Sequence, residues 1–465
     1  MARTLDPPKR LRTRPIDDSL ARFVRARMRD TGTPGVAVGI LHRGRAFGSG
    51  FGITSIAAPD RVDEETLFQI GSTGKTFTAT TVMRLVESGD LDLDVPIRRY
   101  LRNFKLRDQD VAKKVTLRHL LTHTGGWAGD FFTDTGRGDD ALERVVELIA
   151  KVPQLTPLGE VWHYNNAGFY VAGRLIEKAT GLPYERAVTE LVLEPLGMTR
   201  SFHFAEEAIV YRVVAGHNAA GPRSTKHEIA KPWDIGRNSG PAGGLISDVV
   251  DQLRWAQFHM GDGRAPNGKR LLKKSTMREM QKPQAEAGNL ANAVGISWLL
   301  EDYGDTRLVM HGGTTYGQLS AFAMVPERDF AVTVLTNSSR GMEVHGPVLR
   351  KALSLYLGVE RELPVPITAN GSDLSGYAGR YVDAFKSAAI DLEVKGRRLH
   401  AAMSPLEGDG GPGLAPFHLA LFDVDKVLVQ GGWLDGLRAE FLRDGRNRVR
   451  WIRFGGRLWR KTAAR

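Results

Sequence analysis

The chain has no cysteine among its 465 residues. That absence excludes disulfides, thiolate metal ligands and a cysteine nucleophile. It also lacks any run approaching the roughly eighteen apolar residues needed to cross a membrane. Behind Met1, the stretch Met1-Ala-Arg-Thr-Leu-Asp-Pro-Pro-Lys-Arg10 is basic, with no apolar segment to act as a secretory signal. A cytoplasmic protein is expected. Acidic residues are outnumbered, 53 against 64 Lys and Arg, for a net charge of +11. Much of the excess lies near the two ends, from Arg3 to Arg29 and from Arg443 to Arg465. No nucleic-acid module accompanies it, although Trp451 and Trp459 sit among the last arginines. A solvated basic face is therefore expected, without a nucleic-acid partner. The remaining composition, 42% hydrophobic and 25% charged, is ordinary for a globular chain long enough to build two or three cores.

Three short motifs stand out in a fixed order: Ser72-Thr-Gly-Lys75, Tyr164-Asn-Asn166 and His311-Gly-Gly313. A serine hydroxyl is a poor nucleophile at pH 7 and needs a base within hydrogen-bond reach. Ser72 and Lys75 are three apart, so on a helix they share one face. The lysine can accept the serine proton if burial or a neighbouring cation keeps it neutral. By composition, roughly one serine in fifteen or twenty has such a lysine by accident, and Ser72 alone has it here. Tyr164 is the one tyrosine followed two residues later by Asn. His-x-Gly is weaker, because His42-Arg-Gly44 and His123-Thr-Gly125 also match. Context selects His311: it ends a strand-like run from Arg307 and precedes two more, Leu319 to Val325 and Phe330 to Leu335. An edge strand ending in glycines would let a substrate backbone approach closely.

With these motifs the chain resembles the serine β-lactamase-related hydrolases, which include class C β-lactamases, DD-peptidases, D-aminopeptidases and esterases. Tyr-x-Asn and His-Gly-Gly stand where other branches carry Ser-Asp-Asn and Lys-Thr-Gly. The likeness spans about residues 15 to 360. It includes Phe68 to Thr78, Thr116 to Gly125, Glu194-Pro-Leu-Gly-Met198 and Pro241-Ala-Gly-Gly-Leu245. The resemblance implies Ser72 as nucleophile, Lys75 as base or fixed charge, and Tyr164 as partner in proton transfer. It implies that Asn166 orients Lys75 and holds a substrate amide. His311 would lie near a substrate carboxylate or the Tyr164 oxygen, with Gly312 and Gly313 beside the substrate. The backbone N–H groups of Ser72 and Thr314 would form the oxyanion hole. Such chemistry needs no cofactor and no metal. The substrate would be a small ester, an amide or a short peptide, including D-residue peptides. The alternatives within the family are β-lactamase and DD-carboxypeptidase activity. His311 is a switchable cation, which counts against strong carboxylate recognition.

Two rival readings come from other classes. Gly71-Ser-Thr-Gly-Lys-Thr76 looks like the end of a phosphate-binding loop, but the first glycine of that motif would fall at Gln69. His119 and His123 are four apart, as in a zinc helix, yet Leu120 follows the first instead of a glutamate base. Hydrogen-bonding roles beneath the catalytic floor suit these histidines better.

The expected fold is α/β in the α+β sense: one antiparallel sheet flanked by helices, with an all-helical lobe over the cleft. Helices are expected near 15–30, 72–87, 140–150 and 169–179 and after Asp248, with hairpin strands at 36–41 and 46–51. Residues 1–14 read as a basic tail and 15–360 as the hydrolase. Residues 361–372, with Glu362-Leu-Pro-Val-Pro-Ile367 and Asn370-Gly-Ser372, read as an extended linker. Residues 373–465 carry seven short alternating runs, the signature of an antiparallel barrel or sandwich. Leu374 to Tyr381 resembles the opening of the lipocalin-like domain of some relatives. That unit either narrows substrate choice, or it shields the catalytic surface or builds a homo-oligomer.

Overall fold

The computed structural model describes residues 10–288, 290–367, 374–406, 416–431 and 434–462. Its organising element is an eight-stranded antiparallel sheet. In spatial order the strands are Arg45–Gly52, Gly35–His42, Phe330–Thr336, Leu319–Val325, Thr306–Thr314, Leu299–Tyr303, Ala293–Val294 and Ala285–Glu286. The N-terminal hairpin pairs with late strands, Val36 opposite Thr336, so the sheet closes over long sequence separations.

Alternation along Gly35–His42 divides two cores. Val36, Val38 and Ile40 pack with Leu20 and Val24 of helix Asp18–Thr31 and with Val344 and Val348 of helix Met342–Leu357. Ala37 and Leu41 face the opposite core, which holds Val249 and Leu253 of helix Val249–Met260. Covered on both faces, this strand reads as a continuous apolar run. The first helix starts where the Asp17 carboxylate accepts from the Ser19 N–H at 2.8 Å, and it ends at Gly32 with φ +70°. From Lys75 to Ala208 the regular elements are all helical, which forms the expected lobe.

Eight strands, from Gly379–Val382 to Arg457–Lys461, form a closed barrel. The last one pairs with the first, Tyr381 opposite Lys461. This closing strand is missing from the sequence reading because Leu458 is its one fully buried residue. Residues 361–367 of the expected linker form no helix or strand, but they are not free of contacts. The Ile367 N–H donates to the Leu421 carbonyl at 2.8 Å, and Arg361 lies 3.6 Å from Glu301. The proline-rich stretch is thus tied to both lobes, while Asn370-Gly-Ser372 lies outside the described residues. The tail charge is not wholly solvated either, since Arg10 forms ion pairs with the buried Asp248 and Asp251. No helix among the described residues is long and apolar enough to cross a membrane.

Candidate active site

Ser72 lies in a single 3₁₀ turn, Gly71–Gly74, that runs into helix Lys75–Ser88. Three contacts hold the turn. Phe68–Gln69 pairs with Ile246–Ser247, the Ile70 N–H donates to the Leu245 carbonyl, and Ser320 Oγ donates to the Ile70 carbonyl at 2.7 Å. Lys75 Nζ sits 3.0 Å from Ser72 Oγ and donates to the Ala242 carbonyl at 2.5 Å. Its side chain is fully buried. No carboxylate forms an ion pair with it among the described residues. Desolvation, reinforced by the nearby Arg457 charge, holds its pKa well below the usual lysine range.

Tyr164 is placed by the start of the next helix. Asn165 caps helix Asn166–Thr180 by accepting from the Gly168 N–H at 2.8 Å, and its amide donates to the Trp127 carbonyl. The residues on either side of this cap therefore have fixed directions. The Tyr164 ring stacks on His123, and Lys75 Nζ stands 5.0 Å from its centroid. Burial pushes the phenol pKa up, and a weak interaction with Ser72 opposes this only in part. The hydroxyl has no full hydrogen-bond partner among the described residues. Asn166 donates to Asp130 Oδ1 at 2.7 Å. The Asn166 amide N–H is thus taken by Asp130, while Lys75 donates to the Ala242 carbonyl.

His311 lies on strand Thr306–Thr314, which is interior to the sheet, not its edge. Pairing with Leu299–Tyr303 nevertheless stops at Met310, so the motif itself is free on that side. His311 Nδ1 lies 2.6 Å from the Gly312 carbonyl, which makes it the protonated nitrogen and leaves Nε2 a bare, buried acceptor. Burial above all pushes its pKa down to about 3, so it is neutral at pH 7. Gly71, with φ +52°, and Gly313 allow the nucleophile turn to abut this strand. A Cβ on Gly71 would meet Thr314 N at 2.5 Å, and one on Gly313 would meet Ile70 O at 1.9 Å. The N–H groups of Ser72 and Thr314 thereby lie at one seam.

The cavity above Ser72 has a volume of about 840 Å³. Tyr170 and Ile235 line it from the hydrolase lobe, and Leu434, Leu437, Phe454 and Trp459 line it from the barrel. The hairpin that closes the barrel reaches the Tyr-Asn-Asn motif. The Gly456 carbonyl accepts from the Tyr164 N–H at 2.8 Å, and Arg457 Nε donates to Asp130 Oδ2 at 2.9 Å. Asp130 and Arg457 were not singled out from the sequence. Asp130 lies in the loop from Gly125 to Asp140, and Arg457 follows a Gly-Gly turn; neither has a spacing that marks it.

His119 and His123 do not converge. His119 Nδ1 completes the capping box with Thr116, and His123 Nδ1 accepts from the Asn165 N–H at 3.0 Å. Lys75, committed to Ser72 and Ala242 beside an antiparallel sheet, leaves no phosphate cradle at Gly71–Thr76.

A serine paired with a buried lysine, a capped Tyr-Asn-Asn turn and a glycine-ended strand fit a serine hydrolase. The family model for Beta-lactamase matches residues 20–355. The chain is 35% identical over 355 residues to "Penicillin-binding protein 4" of Amycolatopsis lactamdurans, covering 74% of this chain and 89% of that protein. It therefore belongs to the Beta-lactamase family. Among solved structures, SurE superposes with a TM-score of 0.75 at 24% identity, covering 96% of this chain and 98% of that one. The octameric penicillin-binding protein homologue from Pyrococcus abyssi gives 0.66 at 24% identity, covering 95% of this chain and 99% of that one. These two likenesses extend the shared fold across the barrel.

Proposed function

We propose that this enzyme cleaves esters or amides with a large apolar group, including peptides with D-residues, through an acyl-Ser72 intermediate. One observation carries the reading: a fully buried lysine lies 3.0 Å from Ser72 Oγ at the floor of a large, mostly apolar cavity. With the amine neutral, the Ser72 O–H donates to the Nζ lone pair while an N–H still donates to the Ala242 carbonyl. Ser72 Oγ attacks the substrate carbonyl as its proton passes to Lys75. The oxygen that gains charge is held by the Ser72 and Thr314 N–H groups. Tyr164, neutral at pH 7, hands a proton to the leaving group and recovers one from Lys75. Water then enters, loses a proton by the same route and releases the acid. His311 Nε2 acts as an acceptor for the Tyr164 hydroxyl or a substrate N–H, not as a cation.

D-residue substrates are supported by two solved relatives, SurE with D-Leu and a D-amino acid amidase from Ochrobactrum anthropi. A hydrolase relative, "Unguisins hydrolase ungD" of Aspergillus violaceofuscus, is 24% identical over 402 residues. The neutral His311 argues against a carboxylate-anchored β-lactam or DD-carboxypeptidase substrate. The test is labelling with a fluorophosphonate followed by peptide mass spectrometry. A single adduct on Ser72, absent from Ser72→Ala, is expected, and wild type that stays unlabelled overturns the reading. Turnover of penicillins faster than D-amino acid amides and esters would overturn the substrate assignment.

A further inference from the structure

We infer that Arg457, delivered by the barrel, is a positioning residue of the hydrolase centre, which makes the barrel a working part of the active site. The inference rests on the acyl-serine reading and adds a function for the barrel's closing hairpin. Four contacts carry it. Arg457 Cζ stands 4.5 Å from the centroid of the Tyr164 ring, and its neighbour Gly456 accepts the Tyr164 N–H. Arg457 Nε donates to Asp130, whose other oxygen accepts from the Asn166 amide. The arginine therefore touches one end of the Tyr-Asn-Asn motif directly and reaches the other through a single carboxylate. Both charged groups line the cavity, so the half-exposed part of each side chain faces substrate space.

The arrangement is also electrostatic. Lys75 Nζ lies 5.0 Å from the same Tyr164 centroid, so the amine and the guanidinium stand within about 10 Å of each other. A fixed positive charge at that range disfavours protonation of Lys75, and the Asp130 carboxylate works in the opposite sense. Tyr164 feels the same two influences. The other titratable groups around Lys75 are His123 and His311, both pushed down by burial and uncharged at pH 7. Arg457 and Asp130 are thus the pair that sets the local field. The ion pair between them keeps that field modest and fixes Asn166.

The pair predicts shifts of opposite sign, which a purely structural role does not. The experiment follows the rate of fluorophosphonate labelling of the full-length chain against pH, so no substrate need be known. In Arg457→Met the midpoint of the acid limb moves up by about one pH unit, from the charge separation at an effective dielectric of about 20. In Asp130→Asn it moves down. Arg457→Lys keeps the charge and restores the wild-type midpoint, and Arg446→Ala, an exposed barrel arginine, leaves it in place. Circular dichroism and thermal melts confirm that each variant is folded. If wild type labels but the midpoint is unmoved in Arg457→Met and Asp130→Asn, or moves the same way in both, the role of Arg457 is overturned. If wild type does not label at all, the acyl-serine reading itself fails.

Discussion

The imidazole of His123 stacks on the ring of Tyr164, with centroids 4.4 Å apart and planes 27° from parallel. Its Nδ1 also accepts from the Asn165 N–H, so one side chain braces both the phenol and the cap beside it. His123 has φ +58°, a left-handed conformation that brings the ring under the site. Replacing it by Leu removes the stacking face and strands a buried N–H, at a cost of about 1–3 kcal/mol. His123→Leu should melt several degrees lower and label at Ser72 at least tenfold more slowly. A variant with the wild-type labelling rate would show that Tyr164 needs no such support.

The burial of Lys75 costs stability. In the unfolded chain it is protonated at pH 7, whereas in the fold burial favours the neutral amine. Replacing it by Met, of similar length, should abolish turnover and stabilise the protein by about 1–2 kcal/mol. Urea unfolding of Lys75→Met and Ser72→Ala side by side checks this. Equal or lower stability of Lys75→Met would mean that the amine contributes net binding energy in the resting fold.

Gly313 is required by close approach, since a Cβ there would lie 1.9 Å from the Ile70 carbonyl oxygen and 2.7 Å from Ser72 N. Gly313→Ala must push strand Thr306–Thr314 away from the nucleophile turn and open the seam between the Ser72 and Thr314 N–H groups. The acylation rate should fall on the order of 100- to 1000-fold, the usual loss for one oxyanion donor. Stopped-flow acylation with an activated ester measures it. A loss below tenfold would place the oxyanion elsewhere.

The barrel wall predicts selectivity. Phe454 and Trp459 line the cavity. Truncating Phe454 to Ala should lower kcat/KM for esters with long or aromatic acyl groups more than for acetyl esters, because apolar burial is worth about 25 cal/mol per Å². Equal losses across the series would mean that the acyl group does not reach the barrel.

The parts of the site legible in sequence are those built by local pattern. Ser72 and Lys75 are one turn apart, and Tyr164 and Asn166 flank a helix cap, so spacing alone brings each pair together. The sheet strands were readable because alternation and length persist in segments such as Leu319–Val325 and Phe330–Thr336. The Asp130–Arg457 pair joins residues 327 apart in sequence, and no period or turn signal marks such a contact. The Asn166–Asp130 hydrogen bond belongs to the same distant pairing. The closing barrel strand was hidden by its charge, and the linker's attachment depends on partners such as Leu421 and Glu301 that sequence cannot pair with it.

Acid sensitivity gives a further prediction. His259 is 2% exposed, its Nδ1 has no partner among the described residues, and burial pushes its pKa down to about 3. In the unfolded chain it titrates near 6.5. Between these values the unfolded state binds a proton that the fold refuses. The stabilising contribution is therefore complete above about pH 6.5 and is lost as pH falls toward 3, by about 1.4 kcal/mol per pH unit. His163, equally buried and pushed to about 4, adds to the same slope, whereas Asp248, raised by burial, opposes it. His259→Leu isolates one contribution. The stability of wild type minus that of the variant, from urea unfolding at pH 6, 5 and 4, should fall by about 1.4 kcal/mol at each step. A constant difference would mean that His259 is protonated alike in both states, and the burial argument for it would not hold.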